Sequence, residues 1–161
     1  MEKPSELTFG GDQLAQRSRK IEASTRQPPC CVNLLDENIR DDQRMLLRRW
    51  RIPFRQIGKE ISRAGIHDDN LLPLLHRLKR PTLFTQDEDF FERKLCHCSY
   101  CLVWLNVKYI EVAAYIRRFL QHPQFCTQAQ RLGKVVRAHP DSLHYWQVGE
   151  ARRICVEWTQ L

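Results

Sequence analysis

The sequence predicts an α/β domain in three layers, with a mainly parallel central sheet and a short β-rich C-terminal extension. Three observations predict it. Short apolar runs of strand length alternate with amphipathic helical stretches from residue 31 to residue 125. The run Tyr100 to Val107, YCLVWLNV, is apolar almost throughout, as a strand covered on both faces requires. Three of the runs end in acids, at the edge where open α/β sheets bind their ligands.

The bulk numbers fit this class. The chain has 161 residues, 42% hydrophobic and 28% charged, which suits one domain with a full core. No apolar run approaches the roughly 18 residues of a membrane span. The N-terminal MEKPSELTFGG has no apolar signal core, so no membrane partner and a cytoplasmic location are expected. A net charge of +7 around clustered acids suits a nucleic-acid enzyme, in which cations hold phosphates and carboxylates hold metal. Seven cysteines, an odd number in a reducing compartment, argue against a disulfide framework.

Taken in order, residues 1–29 are polar, unpatterned and closed by Gln27-Pro28-Pro29, and read as a flexible arm. Cys31 to Leu35 reads as the first strand. Arg40 to Trp50 reads as a helix with Met45, Leu46, Leu47 and Trp50 on its apolar stripe and arginines opposite. Pro53 stops it, and Phe54 to Ile61 reads as the second strand. Asp68-Asp69 then opens a leucine-rich helix in which Pro73 falls in the tolerant first turn. Thr82 to Thr85 and Tyr100 to Val107 are the next strands, followed by a helix over residues 111–125. Residues 30–125 thus form the main domain. Residues 126–161 form the extension packed on it, with strands expected at Lys134–Ala138, Leu143–Val148 and Arg153–Trp158.

The chemistry sits where strands end. Asp36-Glu37-Asn38 follows the first, Asp68-Asp69 follows the second, and Asp87 with Asp89 follows the third. Carboxylates brought together repel unless protonated or neutralised, and a hard divalent cation is the natural neutraliser. The plainer reading is helix capping, since Asp89 and Glu92 have capping-box spacing. Three acid-bearing turns delivered to one sheet edge favour the shared-cation reading.

In order and spacing, Leu34-Leu35-Asp36-Glu37-Asn38-Ile39, the acid-led helix at Asp68 and Thr85-Gln86-Asp87-Glu88-Asp89-Phe90 resemble PIN-like domains related to VapC-type toxins. The resemblance covers about Val32 to Phe119. It implies a divalent-metal-dependent ribonuclease using Mg²⁺ or Mn²⁺, with RNA as substrate. A small antitoxin protein would be the partner if the chain is a toxin, and self-association is left open. Residue by residue, it implies Asp36, Asp68, Asp87 and Asp89 as the catalytic, metal-holding acids, with Asp69 a rival for the second place. Glu37, Asn38, Arg40 and Thr85 then fall in supporting or substrate-binding roles. A further acid that such domains often carry after the next strand has no clear match, Asn106 and Glu111 being nearest. The alternative is a non-catalytic PIN-like module that binds nucleic acid or a protein partner.

Other features read more plainly. Cys96, Cys98 and Cys101 have zinc-like spacing, but Cys101 falls inside a strand, so buried or local roles are expected. Arg48, Arg49, Arg51, Lys79 and Arg80 read as solvated faces. Trp104 is expected in the core, while Trp146 and Trp158 pack the tail.

Overall fold

The computed structural model describes residues 32–61 and 68–160; the expected arm over residues 1–29, with Cys30 and Cys31, lies outside them. In chain order the elements are β1 (Asn33–Leu35), α1 (Asp41–Arg49), β2 (Arg55–Gln56), α2 (Asp68–Arg77), β3 (Thr82–Thr85) and β4 (Cys101–Leu105). There follow α3 (Val112–Gln121), α4 (Gln128–Arg131), β5 (Lys134–Ala138), β6 (Ser142–Gln147) and β7 (Ile154–Glu157). Single 3₁₀ turns stand at Glu88–Phe90, Arg93–Leu95 and Tyr109–Glu111.

The strands form a seven-stranded sheet in the order β2-β1-β3-β4-β5-β6-β7. Pairing is parallel from β2 through β5 and antiparallel for β5-β6 and β6-β7. The sheet is therefore mixed, and the expected parallel pattern is confined to its β2-to-β5 part. The C-terminal strands continue the same sheet, β5 lying beside β4 with Val135 opposite Leu102. Gly149, at φ +84, supplies the left-handed residue in the turn after β6.

Local chemistry sets the boundaries. Asp41 and Asp42 open α1 and Arg48 and Arg49 close it, matching the helix dipole at both ends. Met45 is 66% exposed, so the apolar stripe of α1 is Leu46, Leu47 and Trp50 without it. Arg44, one of the arginines read as lying opposite that stripe, is buried and paired with Asp41. The strand expected over residues 54–61 shrinks to two residues and an isolated Ile57–Ile61 bridge, because Gly58 turns the chain at φ 83.

Both faces of the sheet are covered. Leu35, Phe84, Val103, Val136 and Tyr145 lie side by side on one face, under Leu47 of α1 and Ala113, Ile116 and Phe119 of α3. Leu34, Leu83, Leu102 and Val135 line the other, under Leu71, Leu74 and Leu75 of α2. Three layers result, as expected.

The order of the strands has a direct consequence for function. The chain leaves β1 for β2 through α1 on one face and returns to β3 through α2 on the other. Strand order 2-1-3-4-5 therefore reverses between β1 and β3. Such a switch point opens a crevice at the strands' carboxyl ends, where α/β sheets bind ligands.

Candidate active site at the β1 and β3 carboxyl ends

Asp36 is the first residue past β1, and its backbone N–H donates to the Phe84 carbonyl at 3.0 Å. That bond prolongs the β1–β3 ladder by one step and sets Asp36 beside Thr85. Thr85, the last residue of β3, is fully buried. Its hydroxyl donates to Asp36 Oδ2 at 2.8 Å and accepts the Asp87 backbone N–H at 3.1 Å. One side chain thus ties both acid-bearing turns together. Asp87 Oδ1 in turn accepts the Asp89 N–H at 3.0 Å and caps the Glu88–Phe90 turn. The capping residue is therefore Asp87, not the Asp89–Glu92 pair.

Electrostatics mark Asp36 among these acids. Burial pushes its carboxyl above the usual range, only partly offset by the hydrogen bonds from Thr85 and the Glu37 backbone. The charges of Glu37 and Asp87 push it further in the same direction. Fixed, partly desolvated and facing a second carboxylate, Asp36 is poised to gain from a cation.

Neighbouring groups hold the turns. Buried Gln56, on β2, donates to the carbonyls of Glu37 at 3.2 Å and Asp36 at 3.5 Å. Gln86 donates to the Val107 carbonyl at 3.2 Å, tying the β3 turn to the segment after β4.

The remaining expected residues divide. Asp89 sits beside Asp87 with its side chain exposed. Glu37 and Asn38 are exposed and, with Arg40, line a surface cavity of about 620 Å³ beside the first turn. Arg40 pairs with Asp42 at 2.9 Å and lies 4.8 Å from the centre of the Tyr109 ring, so its partner is not Asp36. Asp69 is exposed on α2. Asp68 opens α2, at the start of the β2–β3 crossover, but its side chain lies outside what is described. At the end of β4, Asn106, with its amide oxygen turned inward, accepts from Arg137 Nη2 at 2.7 Å and Nε at 3.1 Å. An arginine-bound amide, not an acid, therefore occupies that place.

Among the described residues, no three His, Cys, Asp or Glu side chains gather as metal ligands. Asp36 and Asp87 are neighbours through Thr85, which bonds the Asp36 carboxylate and the Asp87 backbone, and the charge of Asp87 reaches Asp36. Mg²⁺ commonly uses only one or two protein carboxylates and keeps several waters, so this pair fits it. The thiols are placed otherwise. Cys101 is fully buried on the α1/α3 face with its pKa pushed up to about 12 by desolvation, Cys96 packs on the α2 side, and Cys98 is exposed. His97 hydrogen-bonds Ser99 at 2.8 Å and packs against His76 and Tyr100.

Trp104 departs from expectation, and Arg137 was not singled out in the sequence. Trp104 is half-buried, not core; it rests against Phe91, and Arg137 lies 5.0 Å from its ring centre. The signal for Arg137 was the alternation in Lys134–Ala138, which puts a cation on the same face as Val135. Its meaning needed the pairing of β5 with β4. Comparison with known proteins finds no matching family model, no matching curated protein and no matching solved structure.

Proposed function

We propose that the chain is a PIN-like, divalent-metal-dependent ribonuclease whose centre is built on Asp36 and Asp87. The observation that carries the reading is the Thr85 hydroxyl, which fastens both acid turns at the β1/β3 switch point. Asp36 and Asp87 would hold Mg²⁺ or Mn²⁺, with Asp68 completing the set at the mouth of α2 and Asp89 beside them. When bound, the ion supplies an activated water and neutralises charge on the leaving oxygen. Thr85 and Gln56 keep the carboxylates in place, which matters because misplaced groups lose much of their effect. Partial burial of Asp36 strengthens the charge interactions made there. A small antitoxin protein would be the partner if the chain acts as a toxin.

One observation favours the non-catalytic alternative: Asp87 already spends one oxygen on a helix cap. Incubation with single-stranded RNA in Mg²⁺ or Mn²⁺, with EDTA and Asp87→Asn as controls, decides between the two. Asparagine retains the capping oxygen. Metal-dependent cleavage lost in Asp87→Asn supports the nuclease; cleavage surviving in an Asp36→Asn, Asp87→Asn double variant rejects it. RNA that stays intact with the wild-type chain in both metals leaves the binding module.

A further inference from the structure

The acid pair is one end of a row that crosses the sheet. Register places Asp36 beside Thr85, Thr85 beside Trp104, Trp104 beside Arg137 and Arg137 beside His144. All stand on the α2 face, one step beyond the apolar row Leu34, Leu83, Leu102, Val135 and Trp146. Chemistry along the row changes from anionic to aromatic to cationic.

Arg137 is held for a purpose its own neighbours do not exhaust. Asn106 takes its Nε and one Nη2 hydrogen, and Trp104 flanks the guanidinium. Among the described residues, no carboxylate lies within ion-pair distance of it. The other donors of the fork have no described acceptor, so a fixed planar cation is left with an open edge. Such a fork suits a phosphate. The next cation along is Arg153, exposed and one residue before the first β7 pair, Tyr145 with Ile154. His144 between them is held below its usual pKa by burial first, then by the charges of Arg153, Arg137 and His139. The field here is positive, and Ser142 and Cys155, His144's other contacts, carry no carboxylate.

Trp104 supplies the other half. Its ring lies 5.7 Å from that of Phe91, and Phe91 belongs to the turn that begins at Asp87. A partly exposed aromatic pair beside a fixed arginine is how single-stranded nucleic acid is held: base on the ring, phosphate on the fork. Strand spacing puts the Arg137 backbone about 10 Å from that of Thr85, two strands away from the acid pair. That offset suits a phosphate neighbouring the one at the acid pair.

We propose that Trp104, Phe91 and Arg137, extended by Arg153, form a subsite for the nucleotide next to the scissile phosphate of a single-stranded RNA. The subsite rests on the ribonuclease reading for its substrate, but binding can be measured apart from cleavage.

The test is fluorescence anisotropy of a short labelled single-stranded RNA in EDTA, where cleavage is silent. Arg137→Gln and Trp104→Leu should each weaken binding roughly tenfold. Arg137→Lys should fall between, keeping charge but losing the fork. Arg49→Ala, which removes an exposed charge on α1, should change binding less than about twofold. The salt slope should drop by about 0.7 in Arg137→Gln, one phosphate contact on a single strand. Melting curves of each variant separate lost binding from lost fold, with Arg137→Lys and Trp104→Phe as the conservative pair. Equal losses in Arg49→Ala and Arg137→Gln, unchanged binding in Arg137→Gln, or no RNA binding by the wild-type chain overturns the subsite. Arg137-dependent binding without any metal-dependent cleavage keeps the subsite and rejects the nuclease. Cleavage whose KM is unmoved by Arg137→Gln does the reverse.

Discussion

The two faces of one sheet follow different rules at the same height. On the α1/α3 face the row Leu105, Ala138, Leu143 and Val156 stays apolar out to the carboxyl edge. On the α2 face the corresponding end of the sheet is Asp36, Thr85, Trp104, Arg137 and His144. Strands are the same and backbone pairing is the same; what differs is the cover. Among the described residues, two helices and the Phe125 and Trp158 side chains seal the first face, whereas α2 with Phe90 and Tyr100 covers the second and leaves Trp104, Arg137 and His144 partly open. Buried polar groups cost free energy unless paired, so polar groups with donors to spare survive where the cover stops. A functional edge on an α/β sheet can therefore be located by asking which face the helices leave unfinished.

The largest expected effect breaks the sealed face. Phe84 is fully buried, edge-on to Phe119 at 5.8 Å. Phe84→Ala should cost about 3–5 kcal/mol in urea denaturation. Trp104→Ala, although it removes a larger ring, should cost below about 2 kcal/mol because its site is half open. Comparable losses would show that the two faces are equally packed.

A middle-sized effect sharpens the comparison at Thr85, the polar residue buried deepest in the open row. Thr85→Val keeps the shape but leaves the Asp87 N–H without this acceptor and removes one of the donors to Asp36, at a cost of about 1–3 kcal/mol. Thr85→Ser should recover most of this, since the hydroxyl carries the bonds. RNA cleavage, if the proposed centre is right, should fall at least tenfold in Thr85→Val and recover in Thr85→Ser. Equal stability of the valine and serine variants would remove Thr85 from its bridging role.

How much of this was legible in the sequence follows from periodicity. Thr82–Thr85 and Lys134–Ala138 were bounded correctly, because apolar and β-branched runs flanked by proline or glycine leave little choice of element. The turn at Asp36 and the turn at Asp87 were also legible, each being an acid at the end of such a run. That Thr85 joins them was only half legible: its supporting role was expected from a resemblance, but the bond needs the β1–β3 register, which is a long-range fact. Trp104 was misread because an apolar run predicts burial on both faces, whereas α2 stops short of its end. Arg137 went unnoticed because a lone arginine in a strand acquires meaning only from its neighbours across the sheet. The tail strands were legible as strands, yet nothing local distinguishes an appended hairpin from an extension of the central sheet. That distinction lies in the parallel pairing of β5 with β4.

The smallest expected effect concerns the charge on Asp36. Its carboxyl is held above the ordinary aspartate value of 3.8, chiefly by burial, so the fold favours the protonated form. The sign follows from linkage: this group's stabilising contribution is complete below pH 3.8 and is lost as pH rises through the raised folded value. At neutral pH the metal-free chain therefore carries an ionised Asp36 at a cost. Asp36→Asn removes that cost and keeps an oxygen to accept from Thr85. The variant should melt higher than wild type at pH 7 without metal, by no more than a few degrees. Its advantage should shrink on acidification and vanish below pH 3.8, where wild type is protonated as well. Saturating Mg²⁺ should close the gap at pH 7 from the other side, by stabilising wild type alone through binding to its native state. A variant that melts no higher at pH 7, or keeps its whole advantage in acid, would mean that Asp36 is not strained by its charge. The case for a cation at this edge would then lose its electrostatic support.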